Sequence, residues 1–127
     1  MQKIKLYLVD DHRMVIDMWA SLLSSNPKFE IVGTSLDGEK AFEEIIRILP
    51  DVVLMYITLP GISGIELTKR IREKTPSIKI LGVSMHTNII LIKQLLINGA
   101  SGYVSKTSSF DSLTRFVVLS FKIFLLS

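Results

Sequence analysis

The stretch from Asp51 to Tyr56 reads Asp-Val-Val-Leu-Met-Tyr, with four apolar residues in a row between its ends. A strand with one wet face alternates apolar and polar residues. An unbroken apolar run of strand length instead suits a strand buried on both faces, as in a parallel sheet covered by helices on each side. That single run narrows the choice to an α/β architecture, and the rest of the chain agrees. Lys3 to Val9, Phe29 to Ser35, Ile78 to Ser84 and Ser101 to Ser105 also read as short strands. Between them lie segments of helical period. His12 to Ser25 carries Val15, Met18, Trp19, Leu22 and Leu23 at helical spacing and stops at Asn26-Pro27. Asp37 is placed to cap a helix through Ala41, Phe42, Ile45, Ile46 and Leu49, which Pro50 ends. Ser63 and Glu66 have the spacing of a capping box for a third helix, broken at Thr75-Pro76. A fourth helix over 88–97 ends at Asn98-Gly99, and Ser108 with Asp111 opens a fifth. Strands alternating with helices through short loops predict a parallel sheet with helices on both faces.

The 127 residues suit one domain, 1–127, with no repeat, linker or low-complexity segment. Apolar residues make up 48% and charged residues 21%, which excludes an intrinsically disordered chain. Cysteine is absent, so disulfides and thiolate metal sites are excluded, and a cytoplasmic location is expected. The net charge of +3 comes from scattered residues without a basic run, so direct binding to nucleic acid is not expected. Phe116 to Leu126 is nearly all apolar but falls short of the roughly 20 residues that a membrane span needs. It reads as a last helix with apolar surface left over for a partner.

In an open parallel sheet, ligands bind at the carboxyl ends of the strands near the point where the strand order reverses. The strand ends here offer Asp10 and Asp11, then Tyr56 and Thr58, then Ser84, then Lys106. Two adjacent carboxylates invite a hard cation such as Mg²⁺, and a hydroxyl beside a lysine suits phosphate. The plainer alternative is that the two aspartates solvate a strand end and cap the next helix. His12 and His86 stand at strand-to-helix turns without zinc-site spacing and read as surface residues, while Trp19 and the methionines read mostly as core.

Four blocks bear on the choice: Leu8-Val9-Asp10-Asp11-His12, Pro50-Asp51-Val52-Val53-Leu54-Met55, Leu59-Pro60-Gly61-Ile62-Ser63-Gly64, and Gly99-Ala100-Ser101-Gly102-Tyr103-Val104-Ser105-Lys106. In order and separation they resemble the signature blocks of the receiver domain of bacterial two-component response regulators. The wording is nearest to receivers that precede a helix-turn-helix domain. The resemblance implies a flavodoxin-like (βα)5 doubly wound parallel sheet with strand order 2-1-3-4-5. It implies that Asp10 and Asp11 hold Mg²⁺ with the backbone carbonyl of Thr58, that Ser84 and Lys106 sense phosphate, and that Tyr103 is the switch aromatic. Expected partners are a histidine kinase or another receiver, with a homodimer through the last helices as a further possibility. No enzymatic role is expected.

Where the resemblance calls for the phosphate-accepting aspartate, this chain has Tyr56. A phenol with an ordinary pKa near 10 is neutral at pH 7 and forms no acyl phosphate. Losing a carboxylate also weakens cation binding, since a unit charge pair about 4 Å apart is worth on the order of 4 kcal/mol at an effective dielectric of 20. The expectation is a receiver with weak Mg²⁺ binding that acts by protein contact. The alternative is the amino-terminal receiver of a DNA-binding regulator whose phosphoswitch is otherwise intact.

Overall fold

The computed structural model describes residues 3–84 and 89–105. Within them lie β1 (Ile4–Val9), α1 (Arg13–Ser24), β2 (Phe29–Ser35), α2 (Gly38–Ile48), β3 (Val52–Tyr56), α3 (Gly64–Lys74), β4 (Lys79–Ser84), α4 (Ile89–Ile97) and β5 (Gly102–Ser105). The expected fifth helix from Ser108, the Phe116 to Leu126 segment, His86 and Lys106 lie outside the described residues, as does the side chain of Ser84.

The strands form one sheet in the order β2-β1-β3-β4-β5, every neighbouring pair parallel. This is the expected doubly wound, flavodoxin-like order. Successive side chains in a strand point to opposite faces, and the two cores divide accordingly. Leu6, Leu8, Val52, Leu54, Leu81 and Val83 share one buried cluster with Ile16, Trp19 and Leu23 of α1 on one face. Tyr7, Val9, Val53, Met55 and Ile80 meet Ala41 and Ile45 of α2, Leu67 and Ile71 of α3 and Leu95 of α4 on the other. The unbroken Val52–Met55 run is wholly buried because both faces of β3 are covered.

Local chemistry sets the helix ends. The Asp37 carboxylate accepts the backbone N–H of Glu39 at 2.7 Å and of Lys40 at 3.4 Å. Ser63 Oγ accepts the N–H of Glu66 at 3.1 Å. The expected reciprocal half of that capping box is replaced: the Glu66 carboxylate takes Arg70 Nε at 3.4 Å, and Arg70 Nη1 also reaches Glu39 at 3.2 Å. Helix α2 closes on Leu49 in the left-handed region, φ 56° and ψ 63°, directly before Pro50.

The apolar reading is corrected at four residues. Met14 and Met18 do not face the core; they are 85% and 49% exposed, and of the methionines named in the core only Met55 is found there among the described residues. Leu22 and Leu49 are likewise exposed. In α1 the buried stripe is Ile16, Trp19 and Leu23, one position round the helix from Met18 and Leu22.

Candidate functional site

The strand order reverses between β1 and β3, and the acidic residues follow β1 at that point. Val9 pairs with Met55, which brings Asp10 beside the level of Tyr56. Asp10 is fully buried; its Oδ1 accepts the backbone N–H of His12 at 2.9 Å and lies 2.9 Å from His12 Nδ1. Asp11 is partly exposed, with Oδ1 3.1 Å from the same nitrogen. That oxygen is buried and makes no hydrogen bond. The imidazole thus lies against both carboxylates while more than half of its side chain faces solvent.

Among the described residues, Asp10, Asp11 and His12 form a group whose potential ligand atoms lie within 4.8 Å of one another. Carboxylate oxygens are hard donors suited to a divalent cation such as Mg²⁺. The buried Asp11 oxygen without a hydrogen bond is the kind of group a cation satisfies, so the pair fits a metal, although it offers two carboxylates rather than three. The sequence placed His12 at the surface, which holds, but missed its contact with the acids. The signal for it was its position immediately after Asp10-Asp11.

Tyr56 is the last residue of β3, half-buried, and packs against the core on the α2–α3 side. Its ring centroid lies 6.0 Å from that of His12 with the planes tilted by 60°. Thr58 is exposed, two residues past β3 on the same edge. The bend there is held by Ile57 N–H donating to Val83 O at 2.9 Å and Gly64 N–H donating to Ile57 O at 2.7 Å. A Cβ on Gly64 would lie 2.7 Å from the Tyr56 carbonyl oxygen, so glycine lets the chain fold this closely onto the strand tip. The backbone of Ser84 ends β4 on this edge, paired with Ser105. Tyr103 stands in β5 beside Gly82, half-buried against the same core as Tyr56. Asp51 is at the opposite end of β3, where its carboxylate accepts the Lys5 N–H at 2.8 Å, so it takes no part in this cluster.

A model of the response regulator receiver domain family matches residues 6–118. The chain belongs to that family. The receiver is 35% identical over 115 residues to the transcriptional regulatory protein DegU of Brevibacillus brevis, covering 91% of this chain and 49% of that protein. It is 36% identical over 115 residues to the transcriptional regulatory protein LnrK of Bacillus subtilis, covering 91% and 52%. The chain therefore spans about half the length of these curated relatives. Among solved structures, the signal receiver domain of the response regulator NarL from Mycobacterium tuberculosis superposes with a TM-score of 0.92 at 28% identity, covering 96% of this receiver and 98% of that chain. No helix among the described residues is long and apolar enough to cross a membrane.

Proposed function

We propose that this chain is one receiver module, 1–127, of a two-component phosphorelay, and that its phosphoswitch is disabled because Tyr56 stands at the acceptor position. The observation that carries this reading is the place of Tyr56: it ends β3 one residue past Met55, which pairs with Val9 just before Asp10, at the point where the strand order reverses. An acceptor there would need a carboxylate to form a mixed anhydride with phosphate, and a phenol does not supply one. In this reading Asp10, Asp11 and the Thr58 carbonyl are the cation ligands, Ser84 and Lys106 the phosphate-sensing pair, and Tyr103 the switch aromatic. Mg²⁺ binds weakly, because a divalent ion here has lost one of three anionic neighbours. The module acts in the cytoplasm by contact with a histidine kinase or another receiver, or with a second copy through the last helices. It is not an enzyme and does not itself bind nucleic acid.

A second reading has its own support. The matched relatives are transcriptional regulatory proteins about twice as long as this chain. That favours the amino-terminal receiver of a DNA-binding regulator, with Asp10, Asp11, Ser84 and Lys106 still able to work once an aspartate is present. Both readings meet in one experiment. The wild type and Tyr56→Asp are incubated with acetyl phosphate and Mg²⁺, and acid-labile phosphate and Mg²⁺ affinity are measured side by side. The wild type is expected to take up no acyl phosphate, and Tyr56→Asp to gain both phosphorylation and tighter Mg²⁺ binding. Acyl phosphate on the wild type would overturn the disabled switch; an inert Tyr56→Asp would count against the second reading.

A further inference from the structure

Helix α4 is held to the body of the fold in an uneven way. Of its nine residues only Leu95 is buried, while Ile89, Ile90, Leu96 and Ile97 are exposed. Leu95 enters a notch over β4 that exists because residue 82 is glycine: a Cβ at Gly82 would collide with Leu95 Cδ2 and touch Ile57. The second attachment lies just past the helix. Gly99 N–H donates to Leu96 O and Ala100 N–H to Leu95 O, both at 3.1 Å, closing the turn with Gly99 at φ +114°.

Onto this turn reaches Arg72 from α3. Its Nε and Nη2 donate to Gly99 O at 3.1 and 2.7 Å, and its Nη1 donates to Pro76 O at 2.7 Å. One guanidinium thereby joins the α4–β5 turn to the α3–β4 loop, using the fixed fork of donors that arginine alone provides. The fit is close on the other side too. A Cβ on Gly99 would lie 2.8 Å from Arg72 Cγ, so the glycine is required by the arginine stem as well as by its own φ. Among the described residues, Leu95 and the Arg72 guanidinium both hold α4 near its carboxyl end.

We propose that Arg72 is a latch that holds α4 and the α4–β5 turn against α3, so that releasing it lets α4 open as a unit while the rest of the sheet stays folded. The helix runs from the carboxyl end of β4, on the edge of the candidate site, back to the start of β5, which carries Tyr103. Its pose therefore conditions the surface around Tyr103. The latch does not depend on whether the switch at Tyr56 works, and its test does not involve phosphate.

The test is hydrogen–deuterium exchange, followed by mass spectrometry, on the full chain as wild type, Arg72→Met and Arg72→Lys. Local opening exposes only the amides of the unit that opens. Peptides covering 89–101 are expected to exchange at least about tenfold faster in both variants, with β1, β3 and α1 unchanged, since a hydrogen bond to a charged group is worth more than the factor of ten. Lysine keeps the charge but is a single point donor, so it should not restore protection. Three results would each overturn the proposal: unchanged exchange at α4, a rise shared equally by all elements, or full protection in Arg72→Lys. Should Arg72→Met fail to fold, Arg72→Lys alone decides between these outcomes.

Discussion

At Gly82 the absence of a side chain is itself a packing feature, because the space over its Cα is filled by Leu95, a fully buried residue. Gly82→Ala adds a methyl to a region with no slack and should destabilise the fold by about 1–3 kcal/mol, as overpacking does. Urea unfolding measures it, and a midpoint unchanged from wild type would mean that Leu95 has free room after all. Tyr56 poses the complementary case, a large ring at a strand tip surrounded by groups suited to charge. The ring is half-buried, and the His12 ring lies beside it with centroids 6.0 Å apart and planes tilted by 60°.

Among the elements, α1 shows how packing selects one stripe from a helix with more apolar residues than it can bury. Ile16, Trp19 and Leu23 turn toward the sheet, where α1 packs over β1 and β2, while Met14, Met18 and Leu22 form a parallel stripe four residues apart that faces outward. Trp19→Ala should cost about 3–5 kcal/mol, as for other buried aromatic truncations. Met18→Gln, on the neighbouring position, should change stability by less than about 0.5 kcal/mol. Thermal or urea denaturation of the two variants tests the stripe directly, and a comparable loss in Met18→Gln would place that residue inward. Periodicity marked Trp19 and Leu23 of the one stripe together with Met18 and Leu22 of the other, and passed over Ile16. The choice between them came from where the sheet lies, which residues within the helix do not encode.

For the molecule as a whole, the layer between the sheet and α2 contains a polar pair. The Tyr7 hydroxyl donates to Glu44, and burial, followed by that hydrogen bond, raises the phenol well above its ordinary pKa. Room for the ring exists because residue 33 on β2 is glycine; a Cβ there would lie 2.6 Å from Tyr7 Cε2. A folded-state pKa above the unfolded value makes the native state hold its proton more tightly. The stabilisation is thus fully present below the ordinary tyrosine pKa of about 10 and declines as pH rises beyond it. Tyr7→Phe has no such proton to lose. Its stability, measured by urea unfolding at a series of alkaline pH values, should fall less steeply than that of wild type above about pH 10. Parallel slopes would refute the assignment of that pH dependence to Tyr7.

What the amino-acid sequence determined by itself was local or repeated within a few residues. The Val52–Met55 run declared a strand covered on both faces, Asp37 and Ser63 marked helix starts, and Asn98-Gly99 marked a helix end, each through forces acting over one or two turns of chain. The positions of Asp10, Asp11, Tyr56 and Thr58 at strand ends followed from the same alternation. Tertiary structure alone decided which α1 stripe turned inward, that the His12 ring lies against both aspartates, and that Arg72 reaches Gly99 across 27 positions of sequence. Those arrangements depend on the relative placement of elements, which is set by the packing of many side chains at once, and no short window of residues contains that information.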